Sequence, residues 1–149
     1  MAKTDKPPLF VYAGNVLTTT LLRAGVKLVG LGGYPTYLLT IRGRKSGQPR
    51  TVPIVIIERN GKRYLASPFG VVDWVRNLRA AGEATLTRGR RTETVNAREL
   101  PPREAALVLR EDIKGGNPFA RYYQVTADSS LEEFERAATS HPLFVLESK

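Results

Sequence analysis

The sequence predicts an α+β fold: an antiparallel β-barrel with an N-terminal helix and flanking helices, forming one domain over residues 1–149. Three observations lead there. Short β-prone runs recur with turn signals between them, the pattern of hairpin-linked strands. The regular strand–helix alternation that a doubly wound parallel sheet requires is missing. The chain, 42% hydrophobic and 25% charged, has the length and composition of a single globular domain with its own core.

The elements follow in order. Residues Leu9 to Val29 read as a first helix, stopped by Gly30, Gly32, Gly33 and Pro35. Thr36 to Arg42 is apolar and β-prone, a strand, and Gly43 to Pro49 is a loop with two glycines and a proline. Thr51 to Arg59 reads as a second strand, with Pro53 marking an edge or bulge. Asn60-Gly61 is the best hairpin signal, because both residues tolerate the positive φ of a type I′ turn, and Lys62 to Ser67 returns. Asp73 fits the N-cap of a short helix through Ala81. Glu83 to Arg88 and Arg91 to Glu99 pair around Gly89. Pro102 opens a helix to Ile113, ended by Gly115-Gly116-Asn117-Pro118. Phe119 to Tyr123 is ambiguous, Leu131 to Thr139 is a helix and Leu143 to Leu146 a last strand.

Charge narrows the partners. The formal net charge is +9, which attracts nucleic acid, an anionic membrane, or a cofactor rich in phosphate and carboxylate. The chain has no cysteine, which excludes disulfides, cysteine-ligated zinc and iron–sulfur clusters. Between Lys6 and Arg23 lie 16 uncharged residues, too few and too polar at Asn15 and three threonines for a spanning helix. Asp5 and the lack of a small-residue cleavage site argue against a secretory signal, so a cytoplasmic protein is expected. Residues 1–33 then form a helix packed on its own domain, or one resting on an anionic membrane at the inner face of the plasma membrane.

Four cations fall between Arg42 and Arg50 in the run Arg42-Gly43-Arg44-Lys45-Ser46-Gly47-Gln48-Pro49-Arg50. Glycines would let backbone N–H groups converge, and Ser46 would add a hydroxyl, giving a cradle for phosphate or carboxylates. A solvated basic turn is the plain alternative. Aromatics that would stack bases are missing around the run, which argues against nucleic acid. The run also lacks GxGxxG and GxxxxGK[ST].

This run, with Pro53, Tyr64-Leu65-Ala66-Ser67-Pro68-Phe69-Gly70, Asp73-Trp74-Val75-Arg76-Asn77-Leu78 and His141-Pro142-Leu143-Phe144-Val145-Leu146-Glu147, resembles the deazaflavin (coenzyme F-420)-dependent nitroreductase family. That family is a branch of the split β-barrel, flavin-reductase-like proteins, and the resemblance runs from about Tyr37 to Glu147. It implies a split barrel and coenzyme F-420, an 8-hydroxy-5-deazaflavin with an oligoglutamate tail. Arg44, Lys45, Ser46, Gly47 and Arg50 would hold phosphate and tail. Pro53 and Ile54 would lie against the ring, with Ala66, Ser67, Pro68 and Phe69 as further ring and phosphate contacts, and Trp74 and Asn77 as the other wall. Family members often carry tyrosines over the substrate in the C-terminal helical part. Here Phe134 stands in that stretch, and Tyr122 and Tyr123 are the candidates for a catalytic proton donor.

The expected activity is hydride transfer from reduced F-420 to a small apolar, lipid- or quinone-like acceptor, such as an activated alkene or a fatty acid, with no metal. The alternative is a module that stores deazaflavin, FMN or heme without turnover. Oligomeric state stays open.

Overall fold

The computed structural model describes residues 28–29 and 35–149. Asn60 and Gly61 take φ of 52° and 74°, the type I′ turn their chemistry favours. They join β4 (Ile57–Arg59) to β5 (Lys62–Ala66). The other elements are β1 (Leu28–Val29), β2 (Pro35–Arg42), β3 (Pro49–Val55), α1 (Asp73–Ala81), β6 (Glu83–Arg88), β7 (Arg91–Glu99), α2 (Pro102–Lys114), α3 (Ala120–Tyr123), α4 (Leu131–Ser140) and β8 (Leu143–Ser148). The hairpin around Gly89 (φ 62°) has the limits read from the sequence.

Every pairing is antiparallel, and the strand order is β1-β2-β6-β7-β8-β5-β4, with β3 on the other edge of β2. β3 and β4, at opposite edges of this sheet, are one bent segment. Residues 49–59, expected as a single strand from Thr51, break at Ile56, whose N–H donates to the Pro35 carbonyl at 3.0 Å. Pro35 is the first residue of β2, so the segment runs out of partner there and crosses to β5. That bend closes the sheet into a barrel. The expected first helix is corrected at its end: Leu28 and Val29 are strand, paired with Thr36 and Pro35. The rest of that helix lies outside the described residues.

Alternating residues fill the barrel: Leu39, Ile41, Leu65, Leu86, Val95, Phe144 and Leu146, joined by Val75 and Leu78 of α1. Burial of each such side chain stabilises the fold by roughly 1.5–3 kcal/mol. At the end of β2 away from Arg42, Arg63 donates two hydrogen bonds to Glu93, one of them at 3.3 Å, and the Arg88 guanidinium lies 5.5 Å over the Tyr37 ring. The Arg63 hydrogen bond is the main cause that holds the Glu93 carboxyl below its ordinary range. A second cluster, including Ile57, Tyr64 and Val145, packs against Ala105 of α2 and Ala138 of α4. A third binds the helices together through Leu109, Ile113, Tyr123, Phe134 and Ala137. Ser130 caps α4, its hydroxyl accepting from Glu133 N at 3.2 Å.

Candidate functional site

The basic run turns tightly between β2 and β3. Gly43 N donates to Gln48 O at 2.8 Å and Gly47 N to Gly43 O at 2.9 Å. Glycine is required twice. A Cβ on Gly43 would stand 3.0 Å from Ser46 Oγ and 3.1 Å from Gln48 O, and Gly47 has φ 71°. Both glycine N–H groups thus close the turn itself. Ser46 Oγ likewise accepts from Gln48 N at 3.2 Å. The side chains of Arg42, Lys45 and Arg50 belong to exposed residues, while that of Arg44 is 27% exposed.

Helix α1 faces this loop, and the two are tied through one side chain. Asn77, 7% exposed, accepts at Oδ1 from Arg44 N (3.1 Å) and from Arg44 Nη1 (2.8 Å). Arg44 Nη2 also lies 3.7 Å from Asp73 Oδ1. Asp73 is the first residue of the helix and not its N-cap; Val72 occupies that position, with no side-chain cap bond. The Asp73 carboxylate reaches sideways to arginines where a cap would turn back to the backbone. Among the described residues, Arg42, Lys45 and Arg50 ion-pair with no carboxylate.

Between loop, β3 and helix opens a cleft of about 630 Å³, within the ordinary range for small-ligand sites. Arg44, Lys45, Ser46, Arg50, Trp74 and Asn77, which the resemblance assigned to the coenzyme, line it. Trp74 serves two ends, since it also packs on the barrel core with its ring 6.2 Å from Phe144. Ile41, Gly43, Pro49, Thr51, Val52 and Asp73 line the cleft too and were not foreseen. Ile41 and Val52 belong to the apolar pattern of β2 and β3, so strand parity could have found them; Asp73 had no signal beyond its proximity to Trp74.

The other expected residues lie elsewhere. Gly47 sits at the outer turn, while Pro53 and Ile54 pair with Leu38 and Tyr37, down the strand from the lining residues. Ala66 packs between the second and third clusters. Ser67 is 1% exposed, and its hydroxyl donates to the Gly70 carbonyl within its own turn. Pro68 and Phe69 are half-buried in that turn, which leads into α1.

Phe69 meets the tyrosine segment there. Its ring stands edge-on to Tyr122 at 4.8 Å and to Phe119 at 6.0 Å. Arg121 Nη2 donates to Tyr122 Oη at 2.9 Å. The two tyrosines part company: Tyr122 is half-buried on this aromatic cluster, whereas Tyr123 is 2% exposed, its ring 5.1 Å from that of His141. His141 is itself buried, with Nδ1 2.8 Å from Ala137 O. Phe134 is wholly buried.

A polar chain that the sequence did not announce holds this segment. Asp112, fully buried, accepts from Asn117 Nδ2 at 2.6 Å, and Asn117 Oδ1 accepts from Phe119 N at 2.7 Å. Arg59 Nη2 lies 3.8 Å from Asp112 Oδ1. A Cβ on Gly115 would stand 2.6 Å from that same nitrogen. Among the described residues no group of His, Asp or Glu could hold a metal, and no helix is long and apolar enough to cross a membrane.

Residues 17–133 match the model of the F420H(2)-dependent quinone reductase family. The chain belongs to this family. It is an oxidoreductase, and its coenzyme is F-420. A solved F420-H2-dependent reductase, FDR-A, is 26% identical, with TM-score 0.54 over 75% of this chain and 93% of that one. A domain-swapped dimer at 24% identity (TM-score 0.56, 94% and 100% covered) and a heme storage protein of Vibrio cholerae at 13% (0.50, 76% and 81%) share the fold. The split-barrel class read from the sequence is thereby established. Among curated proteins nothing matches the chain.

Proposed function

We propose that the cleft between the basic loop and α1 is the F-420 site. The observation that carries this is a cleft of about 630 Å³ in which Lys45 and Arg50, unpaired among the described residues, stand beside an apolar wall of Ile41, Val52 and Trp74. Cations suit a phosphate and several carboxylates, and the wall suits a ring. Arg42, exposed at the end of β2, adds to the field. Ser46 and Arg44 border the anionic part, and Asn77 fixes the loop against the helix. When bound, the reduced coenzyme supplies the hydride. The chain's own work is to bind the tail, hold the ring flat against Trp74, and keep water from the reacting face.

The acceptor is an apolar molecule, quinone-like or lipid-like, lying against Phe69, Phe119 and Tyr122. The family's quinone reductase description supports this, as do the aromatic faces beside the turn into α1. Tyr122, half-buried and hydrogen-bonded at Oη to Arg121, is the proton donor in this reading, and the burial of Tyr123 in the core supports the choice between the two. Titration by fluorescence quenching tests the site. F-420 should bind in the micromolar range or tighter, weaken steeply with salt because surface charges are screened over about 10 Å at 0.1 M, and outcompete FMN, which has one phosphate and no tail. FMN binding more tightly than F-420 would refute the assignment.

The same reading places the protein in the cytoplasm, with a peripheral contact to anionic membrane through residues before Gly30. Support comes from their uncharged run and from Arg90 and Arg91, exposed at the barrel end where β1 joins. The full chain should sediment with anionic vesicles at low salt; if it stays in the supernatant, the membrane contact is lost from the account.

A further inference from the structure

We propose that Asp73 is a counter-ion built into the cleft: it offsets positive charge on the loop when no anion is bound and limits how much negative charge the site accepts. This rests on the reading of the cleft as the F-420 site. Among the described residues, Asp73 is the one carboxylate that lines the cleft. Its side chain is 84% exposed, so packing does not account for it, and it caps no backbone group through a hydrogen bond. Its Oδ1 instead lies 3.7 Å from Arg44 Nη2 and 3.4 Å from Arg76 Nη1.

Arg44 is thus answered twice before any ligand arrives, by Asn77 at Nη1 and by Asp73 at Nη2. The two contacts differ in kind. The Asn77 contact is short and part-buried and fixes the loop. The Asp73 contact is long and solvent-exposed, the kind of pair that contributes little and exchanges readily. An incoming carboxylate or phosphate that takes Arg44 Nη2 displaces Asp73 there and meets its negative charge at close range. Ligands are therefore graded by charge: a neutral ring is indifferent to Asp73, and an anionic tail is attracted by Lys45 and Arg50 and held back by Asp73.

The sequence contains a single tryptophan, Trp74, which lines the cleft beside Asp73 and reports on occupancy without any coenzyme. Triglutamate serves as the probe, with triglutamine as the neutral control. Wild type, Asp73→Asn and Asp73→Glu are titrated at low salt and at about 1 M salt, where screening falls to about 3 Å. A unit charge at about 4 Å in water-like surroundings corresponds to roughly a fivefold change in Kd. Asp73→Asn should bind triglutamate about fivefold more tightly than wild type at low salt, with the gap closing at high salt. Asp73→Glu, which keeps the charge, should stay near wild type, and triglutamine should not discriminate. Weaker or unchanged binding by Asp73→Asn overturns the proposal, as does an equal shift in both variants or no triglutamate binding by any of the three. A parallel F-420 titration separates the two ideas: the expected triglutamate pattern without F-420 binding would leave the counter-ion standing and remove the cofactor site.

Discussion

Tyr122→Phe is expected to slow single-turnover reduction of an enone or quinone by about 10²–10⁴-fold, the usual worth of a positioned general acid. F-420 affinity and melting temperature should stay near wild type. The substitution keeps the ring that meets Phe69 at 4.8 Å and removes only the hydroxyl. Reduction of an alkene or carbonyl adds negative charge to the acceptor, and a proton must arrive to quench it. Tyr122 Oη already accepts a hydrogen bond from the Arg121 guanidinium, which fixes where the hydroxyl stands. Tyr123→Phe is the internal control: its ring belongs to the helical core, so the variant should change stability and leave the rate alone. A Tyr122→Phe enzyme that turns over at the wild-type rate would pass the proton donor's role to water.

Asp112→Ala is expected to lower stability by about 3 kcal/mol, at the lower end of the cost of breaking a buried ion pair, because Arg59 is partly solvated. For a domain of this size that is a fall of roughly 6–12 °C in Tm. The change removes the acceptor that holds Asn117, which in turn holds Phe119 N at the start of α3. Activity at a temperature where the variant is still folded should therefore fall as well. Asp112→Asn retains an oxygen for the Asn117 amide and should recover most of the rate while recovering only part of the stability. Equal loss of both quantities in the two variants would show the charge alone to matter, and the proposed positioning of α3 would fail.

What was legible in the sequence was what local chemistry decides. Asn60-Gly61 carries its own turn, and the glycines at 43 and 47 carry theirs, so the hairpin and the basic loop were found where they stand. Trp74 and Asn77 were found through a motif on a single short helix. The bend at Ile56 was not legible, because Val55-Ile56-Ile57 is one apolar run and the break is set by the Pro35 carbonyl, distant in sequence. Leu28 and Val29 continue a helical pattern and become strand only because Pro35 and Thr36 are there to pair with. Asp73 before an apolar turn looks like a cap; what diverts it is Arg44, on a loop that meets the helix only in the folded barrel. Tyr122 and Tyr123 are adjacent, and only the packing of α3 against α2 and α4 tells which is buried.

The position of β8 has a consequence for how the protein is made. It is the last strand in sequence, yet it lies between β5 and β7, with Arg63 pairing Leu146 and Val95 pairing Ser148. Synthesis proceeds from the N-terminus, so the β2–β3 and β6–β7 hairpins can form on the ribosome from contacts close in sequence. The gap between β5 and β7 stays open until residues 143–148 emerge. Closing it joins segments that lie 83 residues apart at Arg63 and Leu146 and 53 apart at Val95 and Ser148, a slow kind of contact to form. Through that interval Tyr64 and Leu65 sit on an unpaired edge, the sort of surface that invites aggregation or a chaperone. The described residues that line the cleft are all made before this gap can be sealed, so the completed site waits on six residues that are not among them.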